Sequence, residues 1–206
     1  YDERWQDVVT RHLALKAKWQ ILQLQSLECP VILFIDEPAL AGFGSSAFIS
    51  VSEQLIGGLL AEVVTAIHEA GALAGIHICA NTDWNLAFRS GVDIINFDSY
   101  NYFERFILYR DALAAFLQNR GIIAWGLIPT NDPELIGRVR AQDLAQRWLA
   151  DLDSLAAFGL SRSELLAQSL ITPSCGCGSL SEGLAERVVE LCSEVSRLIR
   201  NAAPGG

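Results

Sequence analysis

Methionine is absent from all 206 residues, histidine occurs only three times, and no apolar run approaches the roughly 18 residues that a membrane-spanning helix needs. The last absence excludes a transmembrane helix, and with no basic-then-apolar segment at the start we expect no membrane partner and a cytoplasmic location. Basic residues are scarce as well: 15 Lys and Arg stand against 24 acids, for a net charge of −9 scattered along the chain. That balance argues against a phosphate-binding surface, and we expect no nucleic-acid partner. Five cysteines are too few and too unevenly placed for a disulfide framework, which leaves reduced thiols available to a metal. No G-x-G-x-x-G follows an apolar strand, so the dinucleotide fingerprint is missing. Because even position 1 is not Met and Tyr1 to Trp5 read as mid-helix, we expect the later part of a longer polypeptide.

What is present is a chain that is 51% hydrophobic, enough for a sizeable core in a single domain over residues 1–206. Residues up to about 27 carry apolar positions at helical spacing, and Cys29-Pro30 stops that pattern. Val31 to Ile35 is a continuous apolar run of strand length, so we expect it to be covered on both faces, as parallel strands are. Ser50 to Glu53 has a capping-box pattern and opens a helix that runs to Gly71. A strand ending at His77 and Cys79 follows, then a short helix from Asp83 to Arg89, a strand from Val92 to Phe97, and a helix from about Tyr102 to Gln118. The strand from Ile122 to Leu127, a helix from Asp143 to Phe158, a turn capped by Ser161 to Glu164, the strand Leu170 to Thr172 and a helix from Ser181 to Arg200 complete the pass. Five apolar strands alternating with helices predict an α/β fold with a parallel sheet. Five units are three short of a closed (β/α)8 TIM barrel, and the missing three would lie upstream.

The polar residues collect where such a barrel does its chemistry, at the carboxyl ends of the strands. His77 and Cys79 are two apart on an extended segment, so imidazole and thiol project from one face. Alone, an H-x-C is more often a core histidine beside a buried cysteine. Pro173-Ser174-Cys175-Gly176-Cys177 then brings further thiols to the end of another strand, and two strand ends carrying ligands of this kind suit zinc better than packing. Cys175 and Cys177 are both eligible donors on spacing. Cys29 and Cys192 read as packing, and His12 and His68 lie on helices away from the strand ends. Asn81, Asp83, Trp84, Trp125 and Asn131 all follow or end strands and are candidates for a pocket lining.

Phe34-Ile35-Asp36-Glu37-Pro38-Ala39-Leu40, His77-Ile78-Cys79, Asp93 to Asp98 and Pro173-Ser174-Cys175-Gly176 occur in that order. Together they resemble the catalytic barrel of cobalamin-independent methionine synthase, over about Val31 to Gly178. Its superfamily also holds uroporphyrinogen decarboxylase and the methylcobalamin:coenzyme M methyltransferases. The resemblance implies a zinc ion held by His77, Cys79, Asp98 and Cys175, the family's usual Glu being replaced by the shorter Asp98, and it selects Cys175 over Cys177. It implies that Asp36 binds the ammonium of homocysteine, with Glu37 either binding beside it or bracing the turn at Pro38. The activity implied is methionine biosynthesis by methyl transfer to homocysteine. Zinc fits that task on chemical grounds, since it ionises coordinated thiols that are otherwise mostly protonated at neutral pH. Ser179 to Glu182, a capping-box pattern, would open the last helix near Cys175 and favour its anionic form.

Two departures bear on the methyl donor. Folate-using members carry a histidine, which protonates the departing folate nitrogen, at the position matched here by Ile128, and an acid near Gly42. A folate amine leaves poorly without a proton, whereas cobalt(I) leaves a methylcorrinoid without one, so the expected donor is a corrinoid, free or on a corrinoid protein, in preference to methyltetrahydrofolate. A coenzyme M-type acceptor is the enzymatic alternative. A zinc-braced module that binds a corrinoid or thiol without turnover is the alternative from another class.

Overall fold

The computed structural model describes residues 3–43, 51–155 and 159–202. The chain divides into two compact units, one of Tyr1–Ile78 with Thr82–Ile95 and the other of Cys79–Asn81 with Asn96–Gly206. Its strands form one five-stranded parallel sheet in the order β1-β2-β3-β4-β5, flanked by helices. The order follows the sequence without reversing, so these strands contain no topological switch point of the kind a doubly wound sheet has. Among the described residues no helix is long and apolar enough to cross a membrane.

In the first unit α1 (Glu3–Leu24) leads to β1 (Ile32–Asp36), α2 (Glu53–Glu69), β2 (Leu73–Ile78) and α3 (Trp84–Arg89). Helix α2 starts at Glu53 because Ser52 caps it, its side chain accepting from the Leu55 backbone N–H; Ser50 lies outside the described residues. Asp83 caps α3 in the same way through the Asn85 N–H. Ile21, Ile67, Ile76, Ile78 and Trp84 form the dry centre of this unit. At its edge, Asp93 accepts from both His68 Nε2 and the Ala74 N–H at 2.8 Å, tying the end of α2 to the start of β2. Strand β1 corrects the sequence reading: it is an edge strand whose residues alternate between exposed and half-buried, with Phe34 38% exposed. A continuous apolar run can be buried on both faces, but what covers each face is decided by the elements around it.

In the second unit β3 (Ile94–Phe97) is followed by α4 (Ser99–Phe106), α5 (Arg110–Gln118), β4 (Ile122–Ile128), α6 (Pro133–Arg138), α7 (Ala141–Leu155), α8 (Arg162–Ala167), β5 (Ser169–Pro173) and α9 (Glu182–Ala202). The long helix expected over 102–118 is two helices, and the one expected from Asp143 to Phe158 spans Ala141–Leu155, with 156–158 outside the described residues. The turn at 161–164 is a capping box in which Ser161 and Glu164 satisfy each other's backbone N–H. An aromatic core fills the unit: Phe97 stacks on Phe106 at 4.0 Å, and Trp125 meets Trp148 edge-on at 5.9 Å. Buried Asn96 donates to Ala124 O and Thr172 Oγ1, so β3 is fixed against β4 and β5 by a satisfied polar group.

Asp151 on α7 is the unfavourable member of this unit. Its Oδ2 is buried and, among the described residues, has no hydrogen-bond partner. Burial pushes the carboxyl up to about 6, against the pull of Arg147 and with help from Glu104. A folded-state value above the unfolded one of about 3.9 means that protonation favours folding, so this contribution is complete below about pH 4 and is lost as pH rises through about 6. Discounted for solvent screening at a half-buried site, it amounts to about 1 kcal/mol. Asp151→Asn is expected to raise unfolding free energy by that amount at pH 7 and to change it little at pH 4 in urea titrations. The same gain at both values would rule out ionisation as the cause.

Candidate metal centre

Strand β2 turns Ile76 and Ile78 into the core, so His77 between them projects from the opposite face, the face shared by Leu73 and Gly75. A Cβ built at Gly75 would lie 2.5 Å from the Phe34 ring, so any side chain there would have to displace that ring. Asp36 is the register partner of His77, and the Glu37 N–H donates to His77 O at 3.0 Å. The backbone carrying the imidazole is thereby held by the end of β1. Cys79 follows one residue beyond the strand and keeps the alternation.

Cys175 is placed from β5. The residue before it, Ser174, is buried; its N–H donates to Ile128 O at 2.8 Å and its Oγ lies 3.1 Å from Thr130 Oγ1. Gly126 makes room for this segment, since a Cβ there would sit 2.4 Å from Phe97 O and 2.9 Å from the Ser174 Cα. Thr130 and Ser174 thus position a thiol without being donors themselves. The sequence carried a signal for them, two hydroxyls at the ends of apolar strands, that a search for ligand residues passes over.

His77, Cys79 and Cys175 each offer a donor atom, and these atoms lie within 4.8 Å of one another. Zinc bonds to nitrogen at about 2.0 Å and to thiolate at about 2.3 Å, which puts tetrahedral donors roughly 3.3–3.8 Å apart. Small side-chain rotations would close the group on an ion, and one imidazole with two thiolates is a donor set that zinc accepts. The residues fit the metal. His77 and Cys79 are half-buried while Cys175 is exposed, so the group opens on one side to solvent.

The other expected residues are placed differently. Asp98 is not in the group of three; it is buried and caps α4, with Oδ1 accepting from the Asn101 N–H at 3.0 Å and Oδ2 from Asn101 Nδ2 at 2.7 Å. Asp36 is exposed at the end of β1. Burial holds the Glu37 carboxyl above its ordinary range, against the opposing pull of the Ala39 and Leu40 backbone, and its side chain makes no capping hydrogen bond to the short 3-10 helix Pro38–Gly42 that it precedes. Asp36 and Glu37 also line a cleft of about 680 Å³ whose walls come from α1, β1 and α2, and none of the three clustered donors borders it. Cys177 stays outside the group, its thiol pushed up by burial and by nearby Cys175. Cys192 on α9 is pushed up to about 12, by burial first and then by Cys177, and is an inert thiol. Trp84 and Trp125 are core, the latter donating to Ser169 Oγ at 3.0 Å, and Asn131 is exposed.

No protein-family model matches the chain, and no curated protein is similar to it.

Proposed function

We propose that this chain is a zinc-dependent S-methyltransferase of the methionine synthase type, its five strands being the later part of a (β/α)8 barrel, with homocysteine as acceptor and a corrinoid as methyl donor. The observation that carries the reading is the group His77, Cys79 and Cys175 with its exposed side. Structural zinc sites are closed by four protein ligands, whereas catalytic ones keep three and an open position. Three donors at two strand ends with a solvent-facing edge have the second character, which disfavours a module that zinc merely braces. Zinc, when bound, supplies the acidity that leaves a substrate sulfur as a thiolate at neutral pH.

The chain's own residues then have distinct tasks. The end of β2 and the residue after it carry the His77 and Cys79 donors, and the hydrogen-bonded Ser174 segment carries Cys175. Asp36, one register position across from His77, offers a carboxylate to the ammonium of an amino-acid thiol. Ile128 is fully buried at the end of β4 and offers no proton, so the leaving group must depart without one. The test is methyl transfer by the complete, zinc-loaded protein that contains this chain, from methylcobalamin to homocysteine, followed by product mass. Methionine formation that requires the metal supports the proposal, and product-free but zinc-loaded protein contradicts it.

Asp36 gives a further expectation. A charged hydrogen bond to the ammonium is worth about 2 kcal/mol, so Asp36→Asn should raise the KM for homocysteine about 30-fold and leave that for a thiol without an amino group nearly unchanged. Equal losses for both thiols would assign Asp36 a structural role and favour a coenzyme M-like acceptor.

A further inference from the structure

We infer that Thr82 is a positioning residue for the acceptor: its hydroxyl fastens the turn after β1 and so sets the Asp36 carboxylate at a fixed distance from the sulfur site. With Asp36 as the partner of the acceptor's ammonium, the reading on which this rests, that distance selects amino thiols by length. Thr82 is only 7% exposed, and its Oγ1 donates at 2.7 Å to the carbonyl of Leu40, 42 positions away in the chain. Leu40 is itself buried and lies in the 3-10 helix Pro38–Gly42, which follows Asp36 and Glu37. Its carbonyl oxygen uses both lone pairs: one takes the Phe43 N–H at 3.1 Å, closing that helix, and the other takes Thr82. No side chain caps the helix at its start.

Thr82 is a fixed post. Before it, β2 is anchored by the fully buried Ile76 and Ile78; after it, Asp83 caps α3 through the Asn85 N–H and Trp84 is fully buried. The chain leaving β1 is held less firmly. Asp36 pairs with His77 in the last register position, the Glu37 N–H donates to His77 O at 3.0 Å, and at Glu37 (φ −124°, ψ 72°) the backbone turns out of the strand. Residues 36–40 are thus fastened to residues 77–82 at two places. The first is a ladder bond that the backbone makes whatever the side chains, whereas the second exists because residue 82 carries a hydroxyl. Without it the turn would pivot about the Glu37 bond, next to which Asp36 stands. An acceptor held by sulfur at the metal and by nitrogen at Asp36 is measured between two points. Homocysteine has two methylenes between its sulfur and its amino-bearing carbon and cysteine has one, so a fixed separation discriminates between them and a yielding one does not.

Kinetics of the complete, zinc-loaded protein with homocysteine, cysteine and homocysteine lacking its amino group test this, with methylcobalamin as donor. Thr82→Val replaces the hydroxyl by a methyl of similar size and should lower the kcat/KM preference for homocysteine over cysteine about tenfold, the weight of one buried hydrogen bond. Thr82→Ser should keep the preference, and both variants should use the desamino thiol as the unsubstituted protein does and retain its zinc. Hydrogen exchange gives a readout without turnover: the Phe43 N–H should exchange about tenfold faster in Thr82→Val, while the Leu55 N–H at the cap of α2 is unchanged. A Thr82→Val protein with its preference intact, with equal losses for all three acceptors, or with unchanged Phe43 exchange would overturn the inference. Asp36→Asn in the same assay separates the two readings. If it penalises homocysteine and the desamino thiol equally, Asp36 does not bind the ammonium and the role of Thr82 falls with it; if it penalises homocysteine alone, a failure of Thr82→Val counts against Thr82 only.

Discussion

Replacing Cys79 or Cys175 by serine is expected to strip most of the zinc from a chain that otherwise carries about one ion. Structural zinc held by four protein ligands binds with roughly 10–16 kcal/mol at neutral pH, about 2.5 to 4 kcal/mol per ligand, so losing one of three donors here should cost at least about 10²- to 10³-fold in affinity. A serine oxygen recovers little of this, because it is harder than thiolate and hardly ionises. Cys177→Ser and Cys192→Ser should keep the metal, both because their sulfurs lie outside the group of three and the second also because its half-buried thiol is held protonated. Metal analysis after dialysis against a weak chelator separates the four variants. Full occupancy in Cys79→Ser and Cys175→Ser would remove the assignment, and loss in Cys177→Ser would transfer it to the other sulfur. Asp98→Asn has a smaller expected effect on zinc, since the carboxylate is committed to the Asn101 cap; its cost should appear as about 1 kcal/mol of stability lost from α4.

The second large effect concerns the donor. General acid catalysis contributes about 10²- to 10⁴-fold, and a folate nitrogen needs it to leave. With Ile128 buried at the end of β4 in place of a histidine, transfer from methyltetrahydrofolate should be slower than from methylcobalamin by a factor in that range. Initial rates with both donors at saturating homocysteine make the comparison. Comparable turnover would mean that another group supplies the proton. Ile128→His should leave the corrinoid reaction largely intact, since that leaving group takes no proton. It need not restore folate turnover, because the acid expected near Gly42 is missing as well.

The strands were legible because each is a short apolar run bounded by Gly, Pro or charge, and their sequential order was legible from the regular alternation with helices. The break between α4 and α5 was not, because Leu108 and Tyr109 continue the apolar pattern through a turn. Helix α6 was missed although its signal was complete, Asp132 capping and Pro133 in the first turn, since six residues are too few to show a period. The exposure of β1 depends on its neighbours and is written nowhere in Ile32 to Asp36 itself. At the site, the spacing of His77 and Cys79 and the clustering of thiols near Cys175 anticipated the three donors that the fold brings together. The position of Asp98 was harder to read. An acid at a strand end can serve a metal or cap the following helix, and Asn101 three residues on was the feature that pointed to the cap.

X-ray absorption at the zinc edge, with and without homocysteine, tests the central claim most directly. The account predicts two sulfur ligands and at least one imidazole nitrogen in the free protein, and a third sulfur when the thiol is added. A coordination shell already closed by protein ligands and unchanged by homocysteine would contradict it.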